Sequence, residues 1–201
     1  MPRLVDPAEA IGVVVRLAAE RAGRTLFVGV DGRGGSGKST LAAAIAAAVP
    51  GSVVIPVDDF AGPLVPEWDW ARLRTQVLLP LVDGRPGRYQ RWEWNRAEGA
   101  EWHDVPVGRL VVIEGVSSTR DEVGAPWSCR IWVDAPHETR LQRALERDGA
   151  QLLPQWRDVW MPSEEAYVER ERPQDRADLL VNGAADVADG SLSDPGGTLP
   201  A

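Results

Sequence analysis

A doubly wound α/β domain on five parallel strands is the fold class this sequence predicts, and three observations carry the prediction. Five short runs are almost continuously apolar: Thr25–Asp31, Ser52–Asp58, Leu110–Glu114, Arg130–Asp134 and Asp178–Asn182. Strands covered by helices on both faces read this way, whereas half-exposed strands alternate. Helical patterns separate the runs, near Pro7–Ala22, Lys38–Val49, Asp69–Val82, Pro136–Asp148 and Glu164–Arg172. That alternation implies right-handed crossovers and a sheet with helices on both sides. Third, a glycine-rich turn joins the first run to the alanine-rich stretch Thr40–Val49. The carboxyl ends of the strands, where sites of such folds lie, carry that turn, Asp58-Asp59, Glu114-Gly115 and Asp134.

Length and composition bound the organisation. The 201 residues suit one α/β domain with a sizeable core. From Gly183 onward small residues, Asp, Gly and Pro dominate, so we expect one domain over residues 1–183 and a disordered tail over 184–201. No internal repeat is visible. A formal charge of −8 argues against a nucleic-acid polymer as partner, because binding a phosphate backbone needs a basic surface. The single cysteine, Cys129, excludes an internal disulfide framework and fits a reducing cytoplasm; its apolar surroundings favour a buried thiol. Arg16 and Glu20 interrupt the apolar N-terminal stretch, so neither a signal peptide nor a membrane span is expected. The oligomeric state is left open.

The turn itself carries chemistry. Gly32-Arg33-Gly34-Gly35-Ser36-Gly37-Lys38-Ser39 is a complete Walker A loop, with a strand leading in and a helix leading out. Its glycines let successive backbone N–H groups close on phosphate oxygens, and the helix N-terminus adds its positive end. The candidate nucleotide contacts are therefore Gly32, Gly34, Gly35, Ser36, Gly37, Lys38, Ser39 and Thr40. Lys38 would reach the β- and γ-phosphates, and the Ser39 hydroxyl would ligate Mg²⁺. ATP and Mg²⁺ are the implied cofactors.

Three acids arrive at the same edge. Glu114 ends an apolar strand in the manner of a Walker B element, able to hold Mg²⁺ or position a nucleophile. Asp58 and Asp59 end the second run, and Asp58, continuing the strand, should stand nearer the γ-phosphate; it is a candidate for catalysis and for the metal. A strand end finished by a solvated acid is the competing reading for each.

In this order and spacing, Gly29 through Ser39, Asp58-Asp59-Phe60 and Ile113-Glu114-Gly115 resemble the uridine kinase-like branch of the P-loop kinases. Phosphoribulokinase and bacterial pantothenate kinase belong to the same wider group. The resemblance runs from about residue 24 to 183. It implies a P-loop NTPase fold of nucleoside-kinase type with a short lid. It also implies an ATP-dependent phosphotransferase acting on an alcohol. By that resemblance Asp58 activates the acceptor hydroxyl, and Asp59 stands where Ser is usual. Trp92-Glu93-Trp94 looks like the element that holds the nucleoside, and Arg140 to Arg143 followed by Arg147-Asp148 looks like the lid helix. Two departures touch the substrate: Asn95-Arg96-Ala97 replaces a Thr-His-Ser whose His helps to read the pyrimidine, and Gly149-Ala150-Gln151-Leu152 replaces a further Arg-Gly-Arg.

Geometry bears on the remaining candidates. Arg140, Arg143 and Arg147 share one helical stripe. Arg143 and Arg147 are candidate catalytic groups, since cations beside a phosphate loop stabilise charge on the leaving phosphate. A solvated face paired with Glu138 and Glu146 is the alternative. Nine tryptophans are many for this length. Trp92 and Trp94 would share one face of an extended segment and could stack a planar acceptor, with core packing or hairpin stabilisation as the alternative. Asp59, Tyr89 and Arg91 complete the candidate acceptor contacts. Trp156 and Trp160 are expected to pack a lid helix on the body. His103 has no partner visible in the sequence and reads as a surface residue.

The combined expectation is a cytoplasmic, Mg²⁺-dependent kinase moving the ATP γ-phosphoryl group to a small-molecule hydroxyl, by resemblance a nucleoside such as uridine or cytidine. The alternatives are a kinase for another small alcohol and a nucleotide-binding regulatory ATPase.

Overall fold

The computed structural model describes residues 2–62, 68–93, 96 and 98–184. The chain opens with β1 (Arg3–Val5) and α1 (Pro7–Glu20), then β2 (Leu26–Gly32), α2 (Lys38–Ala48) and β3 (Val53–Pro56). A 3₁₀ turn, Val57–Phe60, leads towards α3 (Trp70–Leu73), which runs through a π-helical turn into α4 (Leu79–Val82). A hairpin of β4 (Gly87–Glu93) and β5 (Glu98–Val105) follows. Next come β6 (Leu110–Glu114), β7 (Cys129–Asp134), α5 (His137–Asp148), α6 (Leu153–Gln155), a π-helical turn over Trp156–Trp160, α7 (Met161–Glu171), α8 (Pro173–Arg176) and β8 (Leu179–Asn182).

The main sheet is parallel throughout, in the order β1-β8-β7-β2-β6-β3. It has six strands where five were expected. The extra strand, β1, is three residues long with Arg3 and Leu4 exposed, so no apolar run announces it; backbone pairing of Arg3–Val5 with Leu179–Val181 makes it a strand. The antiparallel β4–β5 hairpin lies outside this sheet, and its register shifts between Gln90 and Trp92. The expected tail falls, from residue 185 onward, outside the described residues.

The sheet is buried on both faces, and alternate residues of a single strand feed different cores. Leu26, Val28 and Val30 join Ala10, Val14, Leu41 and Ile45 of α1 and α2. Phe27 points the other way, with Val111, Ile113, Leu73, Val77 and Tyr89. Full burial of a Val or Ile side chain stabilises by about 1.5–3 kcal/mol, so both layers must be covered for these strands to persist. From β2 the chain passes beyond β6 to β3, returns to β6 and then crosses to β7. The turns leaving β6 and β7 therefore diverge around the end of β2. That crevice is where ligands bind in open α/β sheets, and the Walker loop fills it. Among the described residues no helix is long and apolar enough to cross a membrane.

Candidate active site

The Walker loop closes on α2 through glycines whose side chains would not fit. Gly37 caps α2 with φ 97° and no side-chain cap, leaving the first-turn N–H groups of Lys38, Ser39 and Thr40 directed at the loop. Gly35 has φ 72°, and a Cβ there would fall on the Arg140 carbonyl. Gly34 is enclosed from above: a Cβ would lie 2.6 Å from Glu164 Oε1 and 2.7 Å from the Trp156 ring. Lys38 is buried, and its Nζ donates to the Arg33 carbonyl at 2.8 Å, folding back over the loop. Burial pushes its pKa down, while Glu114, Glu164, Asp31 and Asp58 favour the ammonium. Arg33 itself faces away, paired with Asp134 at 2.7 Å and Glu165 at 2.8 Å.

Two features brace the loop that sequence reasoning missed. Asp31, at the end of β2, is 1% exposed and accepts five hydrogen bonds, from the Gly32, Ser117 and Thr119 N–H groups and the Thr119 and Tyr167 hydroxyls. Burial raises its pKa and these donors draw it back down. Glu164 of α7 is also buried; it accepts the Gly34 N–H and feels Lys38, while burial pushes its pKa up. The only signal for Asp31 was its place before the motif, and Glu164 carried none.

Glu114, Asp58 and Asp59 lie at this same edge. Ser39 Oγ lies 3.2 and 3.1 Å from the two Glu114 carboxylate oxygens. Burial raises the Glu114 pKa, opposed chiefly by Lys38. The 3₁₀ turn presents Asp58 and Asp59 in succession. Asp58 is exposed at the groove mouth, so solvent relieves part of the upward push that surrounding protein gives its pKa, and Lys38 and Arg147 oppose that push. Asp59 is turned away and accepts the Tyr89 hydroxyl at 2.9 Å. A hydroxyl beside a carboxylate offers oxygen donors of the kind Mg²⁺ prefers, and Ser39 with Glu114 fits that ion. Among the described residues no group of three or more His, Cys, Asp or Glu forms a protein-only metal cage. Mg²⁺ in kinases is typically held by one or two carboxylates together with substrate phosphates.

The arginine stripe of α5 divides into distinct jobs. Arg140 is buried under the loop, with Nε on the Ala135 carbonyl at 3.1 Å and the guanidinium beside Glu164 and Glu165. It is a structural support, because the first turn of α5 packs beneath the loop at Gly35. Arg143 donates to the Gly183 carbonyl at 2.7 Å, bracing the strand exit beside Gly37. Arg147 stays largely exposed in the last turn; Asp148 raises its pKa most, and the charges of Asp58 and Glu114 add to that. Asp148 grips Arg147 at 2.7 and 2.9 Å and accepts the Trp156 indole N–H at 3.0 Å. Trp156 meets Trp160 edge-on at 4.8 Å and is buried with Ala144 and Met161, packing the lid onto α5.

On the acceptor side, Tyr89 stacks between Phe60 at 4.9 Å and His103 at 5.2 Å. His103 is thus not a partnerless surface residue, since its Nε2 also lies 3.2 Å from Glu101. Cross-strand pairing of residues fourteen apart, Tyr89 with His103, brings them together, which spacing alone does not reveal. Arg91 is held by Glu101 and Glu93. Trp92 is half-buried opposite Gly99; Trp94 lies outside the described residues.

A Walker loop at the switch point of a β3-β6-β2-β7-β8 sheet, with a helical segment packed over it, is a fold shared with solved structures described as kinases. Two solved structures make the likeness concrete. One, described as a possible uridine kinase from Bacillus stearothermophilus, superposes with a TM-score of 0.63 at 22% identity, over 87% of this chain and 98% of its own. The other, a candidate fructose transport system kinase from Silicibacter sp. TM1040, gives 0.56 at 22% identity, over 85% and 98%. No protein-family description and no curated protein matches this chain.

Proposed function

We propose that the protein is a Mg²⁺-dependent kinase, cytoplasmic and organised as one catalytic unit over residues 1–183, that transfers the γ-phosphoryl group of ATP to a hydroxyl of a small molecule. The observation that carries this reading is the convergence on one loop of Lys38, the Ser39–Glu114 pair and Asp58, with Arg147 near enough to feel the Asp58 and Glu114 charges. The loop amides and Lys38 bind the triphosphate. Ser39 and Glu114 would hold Mg²⁺, which would neutralise phosphate charge. Asp58 takes the proton from the acceptor O–H as its oxygen attacks the γ-phosphorus. The bond from that phosphorus to the β-bridging oxygen breaks, ADP leaves, and Arg147 stabilises the charge growing on the leaving group. Exposure at the groove mouth leaves Asp58 reachable by an acceptor, whereas Asp59 is occupied with Tyr89 and shapes the acceptor side.

The resemblance supports a nucleoside acceptor, and the half-buried Trp92 and His103 rings, the latter stacked on buried Tyr89, supply aromatic surface for one. A sugar is the second reading, favoured by the likeness to the candidate fructose transport system kinase. Incubating the protein with γ-labelled ATP, Mg²⁺ and a panel of nucleosides and sugars tests both. Label appearing in nucleosides supports the first reading and label in sugars the second. Release of free phosphate with no labelled alcohol would overturn both in favour of an ATPase.

A further inference from the structure

The acceptor side of the groove has a charge pattern that the phosphate chemistry does not use. A chain of contacts leads from Asp59 outward: the Tyr89 hydroxyl at 2.9 Å, the stacked His103 ring, Glu101 at 3.2 Å from His103, and Arg91 at 2.8 Å from Glu101. It ends in a groove of about 500 Å³ lined by Arg91, Glu93, Arg96, Glu98 and Glu101. Every arginine of the hairpin has a carboxylate beside it. Arg91 donates from Nε and Nη2 to Glu101 and from Nη2 to Glu93, at 2.8, 3.2 and 2.9 Å. Those bonds hold the Glu101 carboxyl down at about 2. Arg72 gives its Nη groups to the carbonyls of Gln90, Asp59 and Ala61. Arg88 pairs with Asp104, and Arg96 lies 3.9 Å from Glu98.

The charge excess is acidic. Residues 87–105 carry three arginines against Glu93, Glu98, Glu101 and Asp104, and Asp58 and Asp59 add two acids at the inner end. The stretches 63–67, 94–95 and 97 contain no lysine or arginine to reverse this. A carboxylate or phosphate on the acceptor would meet hairpin arginines already set beside carboxylates and would face like charges.

Building on the kinase reading, we propose that the phosphoryl acceptor is an uncharged alcohol, a nucleoside or neutral sugar, and that the Arg91–Glu93–Glu101 cluster excludes anionic acceptors. Arg91 in this arrangement is neutralised in advance and presents polar edges, not a net charge, to the substrate.

The experiment uses matched pairs that differ by one anionic group: uridine against orotidine, fructose against fructose 6-phosphate, glycerol against glycerate. With ATP and Mg²⁺ present, both turnover and binding are followed, binding through intrinsic tryptophan fluorescence. We expect the neutral member of any accepted pair to exceed its anionic partner by at least about 50-fold in kcat/KM. The E93Q/E101Q double variant frees Arg91 and should narrow that ratio by tenfold or more. Preference for an anionic member, or an unchanged ratio in the double variant, overturns the proposal. So does an absence of binding by every neutral alcohol, although nucleotide binding would then still stand. Selective binding of neutral alcohols without phosphoryl transfer would uphold the charge selection by this cluster and overturn the kinase reading with its acceptor.

Discussion

Replacing Asp31 by asparagine tests whether the phosphate loop is braced from below as the hydrogen bonds indicate. Oδ1 accepts the Gly32 and Ser117 N–H groups at 2.7 and 2.9 Å. Oδ2 accepts the Thr119 N–H at 3.0 Å and the Thr119 and Tyr167 hydroxyls, both at 2.7 Å. An asparagine must turn its NH₂ towards one of these two sets. Facing Oδ1's partners it opposes two N–H groups; facing Oδ2's it opposes one, while the hydroxyls can rotate to accept. The better orientation still strands the buried Thr119 N–H, at about 1–3 kcal/mol, and weakens the other bonds by removing the charge. Relief from burying a carboxylate offsets part of this, so we take about 3 kcal/mol as the net loss. For a chain of this size that corresponds to a fall in Tm of roughly 6–12 °C. Tyr167→Phe removes a single hydroxyl and should cost about 1 kcal/mol, or roughly 2–4 °C. Thermal unfolding followed by circular dichroism measures both. An Asp31→Asn protein melting within about 2 °C of the parent, or above Tyr167→Phe, would show that the five contacts do not act as a support.

Other outcomes follow from the same geometry. Lys38→Ala removes the buried ammonium from the loop and should lower turnover by about 10²–10³-fold or more without unfolding the chain; near-normal activity in a steady-state assay would contradict its role. Asp58→Asn should reduce kcat by about 10²–10⁴-fold, and Asp59→Asn, which keeps an acceptor for the Tyr89 hydroxyl, should act mainly on KM; the reverse ranking would move the base by one residue. Cys129 is buried and its thiol is pushed up to about 12 by that burial, so iodoacetamide should label it only after unfolding; rapid stoichiometric labelling of the native protein, read by mass spectrometry, would refute this.

Legibility in the sequence divides along the distance between interacting residues. The Walker loop could be read because its chemistry lies in consecutive backbone amides, so spacing alone fixes the geometry. Glu114 was legible for a related reason: a continuous apolar run that ends in an acid must deliver it to the carboxyl edge; Asp58 was expected to continue its strand, but β3 stops at Pro56 and a 3₁₀ turn carries Asp58 and Asp59. Asp31 sits at such an edge too, yet its partners are 86 to 136 residues away in Ser117, Thr119 and Tyr167, and no local pattern distinguishes it from a solvated acid. Glu164 is harder still, since its acidity reads as an exposed helix face until α7 is folded against Gly34. The arginine stripe illustrates the intermediate case. Helical spacing placed Arg140, Arg143 and Arg147 on one face, but the depth to which each residue of that face is buried is set by what α5 packs on. Its first turn lies under the loop, so Arg140 becomes a support there, while Arg147 in the last turn stays largely exposed, held by Asp148 and within reach of the Asp58 and Glu114 charges. Periodicity therefore selects a face, and only the packing along the helix axis decides which residue on that face is free to act on a ligand.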